Sequence, residues 1–180
     1  MSHNRIRAAD FMHDALVSGR ALRTFNVIDK SNRGALGIEV GTSIPSARII
    51  RVFERLIDLY GKPAALRTDN GPEFTSTLFQ EWCQQHGIQQ LFIQPDKPNQ
   101  NAYMERFHRS YRIELLNLYL FENIDHVQQL SDEWLHSYNH ERPHDSLGRV
   151  SPPTFMPRQQ LAQFSTSELT AYVTGKLMIA

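Results

Sequence analysis

Two acids stand where the chain could use them on a metal. In RTDNGPEFTS (residues 67–76), Asp69 follows a short apolar run and precedes Asn70, Gly71 and Pro72. Asn and Gly tolerate left-handed dihedrals and Pro fixes the next φ, so these residues end a strand and begin a turn. An acid placed there serves either the turn itself or a metal held at the carboxyl end of the strand. Glu105 follows after 35 intervening residues, room for a helix, a strand and a loop that return the chain to the same sheet edge. Ligands of open α/β sheets bind outside the carboxyl ends of strands, so the two acids can converge.

The elements that must position them are readable from spacing. Residues 5–12 and 22–29 read as strands, and ALGIEV follows the turn KSNRG as a third; connections this short imply antiparallel hairpins. From Pro45 the residues Ile49, Phe53, Leu56, Ile57 and Tyr60 recur at helical intervals, with Gly61 and Pro63 as the stop. AALRT is then a short strand. Phe74, Leu78 and Trp82 mark a helix ending at Gly87, and IQQLFI is a fifth strand. A helix between two strands returns the chain in the same direction, so the last two strands add in parallel. The expected fold is α/β: a mixed five-stranded sheet, three antiparallel strands then two parallel, with helices on both faces. Tyr103, Phe107, Tyr111 and Leu115 form the buried stripe of a long helix, which puts Glu105, His108, Arg109 and Arg112 on its other side. Val127, Leu130, Trp134 and Tyr138 mark a last helix that ends before ERPH.

With 180 residues, 41% hydrophobic and 21% charged, the chain suffices for one domain with a real core. It has no apolar run of bilayer length, and the start MSHNRIRAAD lacks the apolar stretch of a signal peptide, which points to a soluble cytoplasmic protein. The net charge of zero argues against a nucleic-acid binder that works through bulk charge. The charge is uneven, however. Residues 1–112 hold 15 Lys and Arg against 11 Asp and Glu, residues 113–180 hold 4 against 8, and 15 of the 19 basic residues are Arg, whose planar fork suits phosphate. Cys83, the single cysteine, lies at helical spacing from Phe79 and reads as a small core residue. His136, His140 and His144 are four apart, but Pro143 breaks the helix before the third, and solvated helix histidines account for them better than zinc.

TDNGPEF, the 35-residue gap, QPDKPNQNAYMERFHRSYR and YNHERPHDSL agree in order and spacing. Together they resemble the catalytic core of bacterial insertion-sequence transposases, relatives of retroviral integrases that carry an Asp, Asp, Glu (DDE) triad. The resemblance runs from about Asp10 to Pro153 and divides the chain into a core, residues 1–153, and a C-terminal extension, residues 154–180. It implies a ribonuclease-H-like fold and makes Asp10, Asp69 and Glu105 the catalytic acids and metal ligands, with Asp14 and Asp29 as competitors for the first place. The implied cofactor is Mg²⁺, with Mn²⁺ as substitute, two ions per site. The implied reaction is hydrolysis of a phosphodiester at each transposon end, followed by joining of the freed 3′-hydroxyl to target DNA. Hard carboxylate oxygens suit such ions, and no protein nucleophile is needed.

Lys97, Asn99, Gln100, Asn101, Tyr103, Arg106, Arg109 and Arg112 make a polar and basic stretch across the loop and helix that deliver Glu105. Contacts from such groups go mostly to phosphates, which suits loosely selected target DNA. By the resemblance, Arg142 and His144 belong to a closing signature and fix the last helix or touch DNA. The expected partners are transposon-end and target DNA, a second copy of the chain, and a separate end-binding domain or chain. The expected location is the bacterial cytoplasm, at the nucleoid. The rival function classes are an inactive remnant that still binds DNA or itself, and a stand-alone nuclease of the same fold. ERFHRSYR and YNHERPH speak against the nuclease.

Overall fold

The short connections after Ala15 and Asp29 leave the chain no room to cross over, and the computed structural model, which describes residues 5–31, 33–94 and 101–141, places an antiparallel meander there. Its strands are β1 (Ile6–Ala15), β2 (Ala21–Asp29) and β3 (Ala35–Gly41). Helix α1 (Ser46–Tyr60) then carries the chain over the sheet, so β4 (Ala65–Thr68) lies parallel to β1. Two helices, α2 (Pro72–Thr75) and α3 (Thr77–Gln85), return it to β5 (Gln89–Phe92), parallel to β4. The order β3-β2-β1-β4-β5 is the mixed five-stranded sheet expected from the sequence. Among the described residues no helix is long and apolar enough to cross a membrane.

Alternation along β1 assigns the two faces. Ala8 and Met12 join one core with α4 (Ala102–Tyr111) and α5 (Ile124–His140), built around Met104, Phe107, Tyr111 and Val127. Ala9 joins the other with α1 and α3, where Phe25, Phe53, Phe74 and Phe79 are fully buried. Their rings meet at centroid distances of 5.6–6.1 Å. Each such ring contributes about 2–3 kcal/mol by burial, so this layer anchors the crossover helices.

Helix α1 stops at Gly61, whose φ of 76° lies in the region that favours glycine and whose N–H donates to the Ile57 carbonyl at 2.8 Å. The fully buried Arg7 of β1 donates to the Tyr60 and Gly61 carbonyls beside it. A cation there also meets the negative end of the helix dipole.

Two helical phases differ from the periodicity. The segment carrying Phe74, Leu78 and Trp82 is broken at Ser76, whose ψ is 143° and whose hydroxyl accepts the Phe79 N–H at 3.3 Å as an N-cap. The break rotates α3 relative to α2. Leu78 is 51% exposed, and Phe79, Trp82 and Cys83 are buried. On α4, Tyr103 is exposed and Met104 takes its place beside Phe107 and Tyr111. The helix continues through a π-helical turn, Arg112–Leu116, whose wider winding buries the adjacent Leu115 and Leu116.

Helix α5 lies along the edge strand β3. The Gln128 amide accepts from Val40 N–H and donates to the Ile38 carbonyl, each at 2.9 Å. Asn139 accepts from Ala35 N–H at 2.9 Å and donates to the Ala35 carbonyl at 2.8 Å. These are backbone groups that a neighbouring strand would otherwise satisfy.

Candidate catalytic site

Parallel pairing brings the first two acids together. Ile6, Arg7 and Ala8 pair with Ala65, Leu66 and Arg67, and the same register continued two residues puts Asp69 level with Asp10. Paired residues of neighbouring strands point to the same face. Asp10 therefore faces α4, like Ala8 and Met12. Its Oδ1 accepts the Phe11 N–H at 2.8 Å and its Oδ2 accepts the Asn101 amide at 3.2 Å. Burial first, and the charge of Asp69 second, hold the Asp10 carboxyl above its ordinary value, against the pull of these hydrogen bonds.

Asp69 is exposed, and its Oδ1 accepts the Gly71 N–H at 3.0 Å, so the acid also serves the turn in which it sits. A side chain at Gly71 would meet the Asp69 carboxylate at 3.0 Å and that of Glu73 at 3.3 Å. Glu73 is held at 2.6 Å by Arg23 of β2, whose guanidinium lies 4.1 Å from the centroid of the Phe11 ring. Thus a second carboxylate close to Asp69 has its charge balanced from the sheet.

Glu105 stands on a polar seam of α4. Residues 101, 105, 108 and 112 fall on one helix face, at the border of the buried stripe of Met104, Phe107 and Tyr111. Asn101 reaches Asp10. His108 Nε2 lies 3.1 Å from the Asn26 amide nitrogen, and Asn26 is paired with Asp10 across β1 and β2. Arg112 binds Asp14 at 3.1 Å and the His13 carbonyl at 2.9 Å. The exposed Glu105 carboxylate alone in this seam has no hydrogen-bond or ion-pair partner among the described residues. Among the described residues no three acidic, His or Cys side chains stand close enough to hold one ion, so Asp10, Asp69 and Glu105 do not form a closed set.

His108 is not on the solvated side, as the Tyr103-based stripe implied. An amide nitrogen can only donate, so Nε2 accepts and the ring is neutral. Burial, helped by Arg112, pushes its pKa down to about 4. The unfolded chain has histidine near 6.5 and takes up the proton first. The stabilisation is therefore complete above that value and is lost as pH falls toward 4, at most about 3 kcal/mol. Urea unfolding at pH 7.5, 6 and 5 should show this decline, and a His108→Asn protein should show a shallower one.

The competing acids have other work. Asp29 accepts the Ser31 N–H at 2.8 Å and opens the turn after β2, level with Arg7 rather than with Asp10. Asp14 pairs with Arg112. Of the residues expected at DNA, Arg106 and Arg109 are exposed, and Tyr103 has the Arg33 guanidinium over its ring at 3.2 Å. Lys97, Asn99, Gln100, Arg142 and His144 lie outside the described residues. Sequence reasoning missed Asn26, Arg23 and Glu73 as supports, because their partners are 82 and 50 residues distant. The only local hint was Glu73 within the TDNGPEF block.

Against known proteins this arrangement has a clear kinship. The integrase core domain family matches residues 2–98, and a second integrase core domain family matches residues 86–152. A 39.2 kDa protein of insertion element IS476 from Xanthomonas euvesicatoria is 39% identical over 154 residues, 86% of this chain and 44% of that protein. A 31.7 kDa protein of IS407 from Burkholderia multivorans is 35% identical over 157 residues, 87% of this chain and 57% of that protein. The chain thus spans about half the length of these curated relatives. In fold it resembles the integrase catalytic core domain of HTLV-2 solved with magnesium, with a TM-score of 0.63 and 21% identity over 84% of this chain and 95% of that one. The fold is the ribonuclease-H-like one of integrase catalytic cores. The chain belongs to the integrase core domain family.

Proposed function

We propose that residues 1–153 are the catalytic core of an insertion-sequence transposase, in which Asp10, Asp69 and Glu105 bind two Mg²⁺ ions, with Mn²⁺ able to replace them. The observation that carries this reading is the placement of Asp10 and Asp69 side by side beneath the helix that bears Glu105. The donor set fits a hard divalent cation: it is all carboxylate oxygen, and the Asp10 charge is costly beside Asp69 until a cation offsets it. Bound ions would supply activation of the attacking oxygen and charge stabilisation of the leaving oxygen at a DNA phosphodiester.

The protein's part is orientation. Phe11 N–H fixes the Asp10 carboxylate, Gly71 N–H fixes that of Asp69, and the seam of α4 sets where Glu105 stands. Three like charges repel, so the acids would draw together only around a cation. Arg106 and Arg109, exposed on the same helix, offer phosphate contacts that fix register without reading bases. The reaction is 3′-end hydrolysis followed by strand transfer into target DNA, in the bacterial cytoplasm at the nucleoid, with a second copy and a separate end-binding segment as partners. The HTLV-2 integrase catalytic core domain, which shares this fold, has been solved in dimeric and trimeric forms, which supports self-association.

With Mg²⁺ or Mn²⁺ the protein should nick supercoiled DNA and join transposon ends to it, and Asp69→Asn should do neither. If wild type, like Asp69→Asn, neither nicks nor joins DNA with either metal, the enzymatic reading fails and a DNA-binding remnant remains.

A further inference from the structure

Asn101 occupies the N-cap of α4, yet its side chain makes no capping bond to its own helix. Asn at this position ordinarily accepts an N–H of the first turn, a contribution of about 1 kcal/mol that is forgone here. The side chain turns instead to the sheet, where Nδ2 donates to Asp10 Oδ2 at 3.2 Å. Meanwhile its carbonyl accepts the Glu105 N–H at 3.0 Å. One residue therefore holds the first acid through its side chain and the third through its backbone. Among the described residues no other does both. Among the described residues the remaining Asp10 oxygen is held only by β1's own Phe11 N–H. The choice of residue follows from chemistry. Asp at this place would set another negative charge against Asp10, Ser would fall short, and Asn brings a neutral donor of sufficient reach.

We propose that Asn101 is a positioning residue of the metal site: by tying the first turn of α4 to Asp10 it sets the approach of Glu105, and so the affinity for the divalent cation. The inference rests on the transposase reading of the site and assigns to the Asn101 side chain a task inside the cleft, before DNA arrives. Loss of one such oriented bond to a ligating carboxylate weakens metal binding by about tenfold or more.

Calorimetric titration of Mn²⁺, without DNA, into wild type, Asn101→Ala, Asn101→Gln and Asp69→Asn tests it, alongside urea unfolding of each protein. Asn101→Ala should bind Mn²⁺ about tenfold more weakly with an unfolding midpoint lowered by no more than the loss of that one hydrogen bond, since no cap is lost, and Asn101→Gln, which keeps the donor, should recover most of the affinity. Hydrogen exchange at the Glu105 amide should slow with Mn²⁺ in wild type and less so in Asn101→Ala. Wild-type affinity in Asn101→Ala, or a fall in stability without a fall in affinity, overturns the proposal and leaves the transposase reading intact. If Asp69→Asn binds Mn²⁺ as tightly as wild type, the ion lies elsewhere, and the site reading falls together with the positioning role.

Discussion

An Asp10→Asn protein should join DNA about a hundred- to a thousandfold more slowly than wild type, while unfolding at a higher urea concentration in the absence of metal. The two effects share one cause. The carboxyl is raised in the folded protein by burial and then by Asp69, so the folded state holds its proton more tightly than the unfolded one. Stability from that group is present below the unfolded carboxyl value and is lost as pH rises through the folded one. At neutral pH the ionised acid therefore costs stability. The amide removes this cost while keeping an oxygen for Phe11 N–H. It also removes a full charge from the cleft, where charge is what holds a divalent cation. Adding Mg²⁺ should raise the midpoint of wild type and leave that of the variant where it was. A variant that joins DNA at the wild-type rate would remove Asp10 from the site, and a destabilised one would contradict the electrostatic account.

The second large effect concerns stability alone. Arg7 is fully buried, and its guanidinium donates to the two carbonyls that end α1. Truncation to Ala removes the volume of a long side chain, leaves a cavity, and strips charged donors from two half-buried carbonyls, of which, among the described residues, only Tyr60's keeps another, from Arg5 at 3.0 Å. We expect Arg7→Ala to lose about 3–5 kcal/mol, a large share of the 5–15 kcal/mol that holds a typical domain. Arg7→Met, which refills the space, should lose less. Urea unfolding decides the matter: a loss below about 1 kcal/mol would mean that the α1 terminus is satisfied without this side chain.

The order and direction of the strands were legible because they depend on connection lengths, which the chain displays openly. Helical phase was less so. Periodicity gives a stripe but not which of two adjacent apolar residues occupies it, and so it favours Leu78 over Phe79 and Tyr103 over Met104, the reverse of the structure. In the first case the break at Ser76 resets the phase, and in the second the sheet below α4 selects the flexible thioether over the ring. Asp69 and Glu105 stood out by their place in the sequence. Asp10 entered only through the family resemblance, because nothing local tells it from Asp14 on the same strand face; the register between β1 and β4 is what puts it level with Asp69. The supports were illegible for a plain reason. Asn26 with His108, and Arg23 with Glu73, are partnerships made by the tertiary fold between residues whose own neighbourhoods give no sign of them.

Gln128 and Asn139 are eleven residues apart, three helical turns, so both amides leave α5 on one side and meet β3 at two points along its length. An open strand edge invites any other chain to lengthen the sheet, the usual route to fibrils and to domain swapping. Here a helix occupies that edge with side-chain amides that imitate the missing strand. The opposite edge, β5, is only four residues long. Extension of the sheet by another chain is thus closed at β3, so association of two copies would use surfaces other than this edge.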